Sequence, residues 1–262
     1  MRLSKPIMTD DAAIYPSLRD RAVLVTGGAN GIGAEITQAF SNQGAQVAFL
    51  DTDDLAASRL IDQMTSARHK PVFRHCNLTD VADLKNSINT LANEMGSFEI
   101  LINNAGCDDR ESLNEITLEK WDYLQNINLR HVVFASQTVF PGMAEKGSGV
   151  IINFSSPTFR RRTANLAAYA SAKAAIEGLS RVMSREMGKS GVRVNTIMPG
   201  WTMTDRQRQL WLTPEAEKLL METQCLKTYV MPEDISRMVL FLSSDDARVI
   251  TAQTFIVDAG LV

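Results

Sequence analysis

Tyr169 and Lys173 stand four residues apart at the start of a stretch whose apolar positions, Ile176, Leu179 and Met183, step with a helical period. Helical geometry puts residues four apart on one face, so the phenol and the ammonium share it. A cation beside a phenol favours the phenolate, lowering the hydroxyl pKa from its ordinary value of about 10 toward neutrality. Such a group can take the proton of an alcohol as hydride leaves carbon, or return it in the reverse direction. Tyr-x-x-x-Lys also arises as an exposed helical pair, and its company decides. Ser156 follows a run of strand character, Val150 to Phe154, where a hydroxyl can bond the reacting oxygen. Asn128, in Asn-Ile-Asn-Leu, offers a buried amide able to hold a water near Lys173.

Hydride chemistry needs a carrier, and the chain has a seat for one. After the first strand candidate it reads Thr26-Gly27-Gly28-Ala29-Asn30-Gly31-Ile32-Gly33, then a helix with Ile36, Ala39 and Phe40 on one face. Glycines let bare backbone N–H groups and a helix N-terminus approach a pyrophosphate; a Cβ would block that approach. Asp51 ends the next strand candidate, where a carboxylate accepts hydrogen bonds from the adenosine ribose hydroxyls and repels a 2′-phosphate. No arginine immediately follows it, so the expected cofactor is NAD rather than NADP. Asp53 suits a helix N-cap instead.

These residues must be positioned by alternating elements. Strand candidates run over Ala22 to Val25, Gln46 to Leu50, Val72 to Cys76, Ile100 to Ile102, Val150 to Phe154, Val192 to Ile197 and Thr254 to Val257. Most are near-continuous apolar runs separated by helical segments, the pattern of βαβ units in a parallel sheet covered on both faces. The clearest helix follows Thr79-Asp80, with Val81, Leu84, Ile88, Leu91 and Met95 forming one stripe. Two regions break the rhythm: the arginine-rich stretch Pro157 to Asn165, and Trp201 to Thr228, where Trp201, Trp211 and Met221 sit among charges. The second reads as a substrate lid or as a surface excursion packing on a neighbouring subunit.

The 262 residues are 45% hydrophobic and carry a net charge of -3, which fits one folded α/β domain. That charge supplies no field for nucleic acid or anionic lipid. No run reaches the roughly 18 apolar residues of a membrane span, and the first 20 residues hold no signal-peptide core, so a cytoplasmic enzyme is expected. Cys76, Cys107 and Cys225 are far apart and form no C-x-x-C pair, so neither a disulfide framework nor a metal site is expected.

Taken together, the motifs resemble those of the short-chain dehydrogenase/reductase family. They are the glycine turn at 26 to 33, Asn103-Asn104-Ala105-Gly106, the tetrad Asn128, Ser156, Tyr169 and Lys173, Pro199-Gly200, and Val257-Asp258. The resemblance covers almost everything after Ala22. It implies a single-domain, doubly wound Rossmann-type fold over 1–262, with a seven-stranded parallel sheet, helices on both faces, an N-terminal arm over 1–20 and a lid over 201–228 after the sixth strand. It implies a homotetramer or homodimer. It also implies that Tyr169 is the acid/base, that Lys173 orients the nicotinamide ribose, that Ser156 fixes the substrate oxygen and that Asn128 supports a proton relay. Gly27, Asn30, Gly31, Ile32, Gly33, Asp51 and Asn104 would hold the dinucleotide, with Thr202 and Thr204 beside the nicotinamide and pyrophosphate and Asn77 and Leu78 beside adenine. Asn77 replaces the family's usual aspartate, Phe159 stands where many members have glycine, and Ala252 and Ala259 replace glycines common near the C-terminus.

A closer similarity is to NAD-dependent sugar (aldose) 1-dehydrogenases of this family, such as those acting on D-xylose. Ile-Tyr-Pro-Ser-Leu at 14–18, Asn-Asn-Ala-Gly-Cys-Asp-Asp-Arg at 103–110, Asn-Leu-Arg-His at 128–131, Gln-Cys-Leu-Lys at 224–227 and Phe-Leu-Ser-Ser-Asp-Asp-Ala at 241–247 carry it. The implied reaction oxidises the anomeric hydroxyl to a lactone; polyol, keto-sugar acid or 3-oxoacyl chemistry on the same tetrad is the alternative, and a non-catalytic NAD sensor a remote one. Asp108, Asp109 and Arg110 follow the fourth strand, where ligands bind in such sheets. Arg160-Arg161-Arg162 lies between Ser156 and Tyr169. Guanidinium groups grip anions through paired donors, so these residues, with Arg206 or Arg208, point to an acidic sugar such as sulfoquinovose or a uronic acid; a solvated or intersubunit loop is the alternative.

Overall fold

The computed structural model describes residues 13–262; the first part of the expected N-terminal arm, residues 1–12, lies outside them. Seven strands, β1 (Ala22–Thr26), β2 (Gln46–Asp51), β3 (Val72–His75), β4 (Ile100–Asn103), β5 (Gly149–Phe154), β6 (Val192–Pro199) and β7 (Thr254–Val257), form one parallel sheet in the order β3-β2-β1-β4-β5-β6-β7. Chain order reverses between β1 and β4, and such a reversal opens a ligand crevice beyond the carboxyl ends of the strands.

Among the described residues, ten helices accompany the sheet: α1 (Gly31–Asn42), α2 (Asp54–Gln63), α3 (Val81–Met95), α4 (Leu118–Gln125), α5 (His131–Lys146), α6 (Thr158–Arg161), α7 (Ala167–Met187), α8 (Asp205–Trp211), α9 (Pro214–Thr223) and α10 (Pro232–Ser243). Strand side chains alternate between two cores. Val23, Val25, Phe49, Ile100, Ile102 and Ile152 pack with Ile36 and Phe40 of α1 and Ile235 and Val239 of α10. Leu24, Leu50, Leu101, Ile151 and Val194 pack with Leu84, Ile88 and Leu91 of α3 and Val139 and Met143 of α5. Burying each such Leu, Ile or Phe contributes about 1.5–3 kcal/mol. A strand covered on both faces has no polar positions to alternate, which is why these strands read as unbroken apolar runs.

The helix expected after Thr79-Asp80 is α3. Asp80 is its cap, accepting from Ala82 N at 2.8 Å and Asp83 N at 3.1 Å, while the Thr79 hydroxyl donates to Asn77 Oδ1 at 2.8 Å. Asp53 caps α2 through Ala56 N at 2.9 Å. Among the described residues, no helix is long and apolar enough to cross a membrane, and no cluster of His, Cys, Asp or Glu could hold a metal ion.

The three departures from the family's glycines divide. Phe159 lies inside α6, where the right-handed helical backbone needs no glycine. Ala252 and Ala259 keep the left-handed conformation, with φ of 61° and 58°. A Cβ in that region costs roughly 1–2 kcal/mol, offset in part by the lower chain entropy of alanine when unfolded. Ala252→Gly and Ala259→Gly are each expected to stabilise the fold by about 0.5–1 kcal/mol, read as a rise of a few degrees in Tm.

Candidate active site

The turn between β1 and α1 is shaped by its glycines. Gly27 and Gly31 have φ of +66° and +55°, and a Cβ on Gly33 would lie 1.8 Å from the Gly27 carbonyl oxygen. Asn104, just past β4, donates to the carbonyls of Thr26 at 3.1 Å and Gly27 at 3.0 Å and so ties the turn to the neighbouring strand. Asp51 accepts from Ala29 N at 3.0 Å, Thr52 N at 2.8 Å and Asp53 N at 3.1 Å. No side chain caps α1; the Asn30 amide donates instead to Asp53 Oδ2 at 3.0 Å. The uncapped helix end fits a pyrophosphate, and Gly33 lets the helix pack directly on the Gly27 carbonyl and the Asn104 amide.

A cleft of about 1180 Å³ runs from this turn across the carboxyl ends of the strands, wider than the ~300–1,000 Å³ of an ordinary small-molecule site. Asn77 and Leu78 line its far end. Asn77 is exposed and turns Oδ1 back to Thr79 N at 3.1 Å, leaving its amide donors for a base. Thr202 donates to the Gly200 carbonyl at 3.2 Å. Thr204 caps α8 through Gln207 N at 3.3 Å and sets its methyl against the Gly31 turn.

At the other end, Ser156, Tyr169 and Lys173 line one wall. Lys173 is buried and donates to the Phe154 carbonyl at 2.9 Å. Ser155 Oγ donates to the Lys173 carbonyl at 2.7 Å, so the carboxyl end of β5 and the first turns of α7 are fastened together at this point. Gly106 sits where a Cβ would be 2.9 Å from Asn128 Oδ1 and 3.2 Å from Lys173 Nζ. Burial pulls the Lys173 pKa down to about 8. The Tyr169 pKa moves the other way from the sequence reading. Burial raises it above the ordinary 10, and the hydrogen bond with Ser156 opposes that rise without cancelling it.

Asn128 lies in a π-turn, Asn126–Arg130, between α4 and α5, a distortion that recurs at functional sites. Its side chain is committed to backbone: Oδ1 accepts from Cys107 N, and Nδ2 donates to the carbonyls of Cys107 and Leu124, all at 2.9 Å. The amide therefore braces the loop after β4. Next to it His131 is fully buried, neither ring nitrogen is partnered, and burial with the Lys173 charge pushes its pKa down to about 3.

The expected substrate residues separate. Arg160 leaves the cleft for Glu177, at 3.2 Å and 3.3 Å from its two carboxylate oxygens. Arg162 adopts φ of 56° at the exposed end of α6 and does not line the cleft. Arg161, Asp108, Arg110 and Arg206 do line it. Asp108 is not free for sugar hydroxyls: it binds Arg206 and also accepts from Gln207 Nε2 at 2.9 Å. Asp109 is held by Lys120 at 2.6 Å and Arg206 at 3.3 Å, and the Lys120 hydrogen bond keeps its carboxyl below the usual range. The Arg110 guanidinium lies 3.7 Å from the centre of the Trp211 ring. Sequence reasoning passed over Ser155, whose signal is its place beside Ser156, and Gln207, which joins Asp108 to Trp201 Nε1 at 2.9 Å and carries no local signal.

Comparison with known proteins agrees with this geometry. Residues 27–262 match the family model described as "Enoyl-(Acyl carrier protein) reductase". The chain is 41% identical over 249 residues to D-xylose 1-dehydrogenase of Caulobacter vibrioides, covering 95% of this chain and 98% of that protein. It is 40% identical over 255 residues to the "Probable galactose dehydrogenase GalD" of Rhizobium meliloti, covering 97% and 100%. Among solved structures, a 7α-hydroxysteroid dehydrogenase complexed with NADH and 7-oxo glycochenodeoxycholic acid superposes with a TM-score of 0.89 at 29% identity, covering 94% and 96% of the two chains. A blue fluorescent protein from a metagenomic library, in complex with NADPH, superposes with a TM-score of 0.87 at 29% identity, covering 94% and 99%.

Gly33→Ala drives a methyl into the Gly27 carbonyl. The variant is expected to lose at least ~1–3 kcal/mol of stability and all measurable dinucleotide binding, read by thermal unfolding and by fluorescence titration with NADH.

Proposed function

This chain belongs to the short-chain dehydrogenase/reductase family, oxidoreductases that act on CH–OH groups, and from that premise we propose that it oxidises the anomeric hydroxyl of an aldose to the lactone with NAD. The convergence of Ser156, Tyr169 and Lys173 on one wall of the cleft that begins at the glycine turn carries the reading. The xylose and galactose dehydrogenases that it resembles over nearly their whole length support the sugar class.

Gly27, Gly31, Ile32 and Gly33 would hold the pyrophosphate, Asp51 the adenosine ribose, Asn77 and Leu78 the adenine, and Lys173, Thr202 and Thr204 the nicotinamide half. No arginine or lysine lines the cleft from Gly27 to Thr79, which favours NAD over its 2′-phosphorylated form. When bound, the oxidised nicotinamide supplies the hydride acceptor and a positive charge that opposes the cost of a buried phenolate. Ser156 holds O1 of the sugar. Tyr169 takes the O1 proton as the C1–H bond gives up its electron pair, and C1=O forms. Lys173, fixed by Phe154 and Ser155, keeps a cation next to the phenol. Residues 201–228 act as the lid, and α8 is fastened to the loop after β4 by Asp108 with Arg206 and Gln207.

Tyr169→Phe is expected to lower kcat for aldose oxidation by roughly 10²–10⁴-fold while NADH still binds. Oxidation needs the phenolate, and the Tyr169 pKa is raised. The oxidation rate should therefore climb with pH through the neutral and alkaline range, and reduction should fall over the same range. A lactone identified by hydroxamate trapping, and no ketone, checks the product. Asp108→Ala frees α8 and is expected to raise KM for the sugar about two- to fivefold, the size of a partly exposed ion pair, with little change in NADH affinity.

A further inference from the structure

The three consecutive arginines are divided by the fold, and the division has chemical meaning. Arg160 is neutralised by Glu177 at 3.2 Å, and Arg162 faces solvent. Arg161 alone of the three stands at the mouth of the cleft, and no described carboxylate lies within ion-pair distance of it. One turn earlier, Thr158 lines the same cleft with a buried hydroxyl that has no partner. Thr163 N donates to the Thr158 carbonyl at 3.0 Å, folding the end of this loop back beside it.

A second wall closes on the first. Glu111 N donates to the Asn165 carbonyl at 2.8 Å, and Glu111 pairs with Leu166 in a single parallel bridge, so the loop bearing Arg110 is drawn against the loop bearing Arg161. Arg110 stacks on Trp211 of the lid, whose Nε1 is buried, unpartnered and in the same cleft. Guanidinium and indole N–H groups only donate. Of the nearby carboxylates, Asp108 and Asp109 are taken up by Arg206 and Lys120, and Glu111, whose Oε2 is buried and unpartnered, does not line this cleft. A neutral polyol offers donors and acceptors in equal measure and leaves such a wall unmatched; an anionic oxygen group offers acceptors only.

We propose that this wall binds a fixed anionic group, sulfonate or carboxylate, on the part of the aldose remote from C1, and that Arg161 is the residue that selects it. The inference rests on the aldose reading above. The test compares kcat/KM with NAD for D-glucose, D-glucuronate and 6-deoxy-6-sulfo-D-glucose in the wild type, Arg161→Gln and Arg162→Gln, with NADH titration as the check on folding. The wild type should prefer at least one of the two anionic sugars, and the preferred one identifies the group. Arg161→Gln should lower the anionic-to-neutral ratio roughly tenfold or more, the worth of a charged hydrogen bond; Arg162→Gln should leave the ratio intact. Arg161→Lys, which keeps the charge and loses the fork, should fall between, and it replaces the glutamine variant if that protein no longer binds NADH. An unchanged ratio in Arg161→Gln, or a wild type that prefers the neutral sugar, overturns the proposal and leaves the aldose reading standing. Failure to form lactone from any of the three, with another alcohol oxidised, removes both.

Discussion

The molecule is organised around a charge kept out of water. The Lys173 ammonium is buried, and burial disfavours its protonated form. Its surroundings are arranged to hold it nonetheless. The last carbonyl of β5 accepts from it, the next serine fastens its own helix, and Gly106 stands back because any side chain there would meet it. A buried charge of this kind adds little to stability and much to reactivity. The sheet supplies rigidity: β5 is buried along its whole length between β4 and β6, and Phe154, paired with Ile197 of β6, cannot drift from the ammonium without breaking that ladder.

The same dependence extends to the dinucleotide turn. Asn104 and Gly106 belong to one four-residue stretch after β4; one holds the glycine turn and the other makes room for Lys173. Asn128 braces the residue that follows, Cys107, through both its amide atoms. The glycine turn and the surroundings of Lys173 are thus set by a single short segment, so displacement of that segment disturbs both.

Much of this was legible in the sequence because the signals are local. Apolar runs located every strand to within a residue or two, since strands covered on both faces have no polar position to hide. The Tyr169–Lys173 spacing is a property of one helix, and Gly33 is required by atoms a few residues away. What stayed hidden depends on the fold closing. The Asp108 and Asp109 carboxylates looked available for hydroxyls, but Arg206, which binds Asp108 and joins Lys120 on Asp109, lies 98 and 97 residues further along, on α8. Three adjacent arginines look alike as letters, and a four-residue helix sends them in different directions. The pKa of Tyr169 followed burial, which outweighs the opposing hydrogen bond with Ser156, a balance that spacing alone cannot weigh. Ala252 and Ala259 show the reverse case, where alanine stands in the left-handed conformation that suits glycine.

The bridge between Glu111 and Leu166, together with the clasp of Asp108 on α8, ties α8, the loop after β4 and the loop before α7 to one another. A shift in any one of the three is therefore felt by the other two, so this rim of the cleft responds as a linked set.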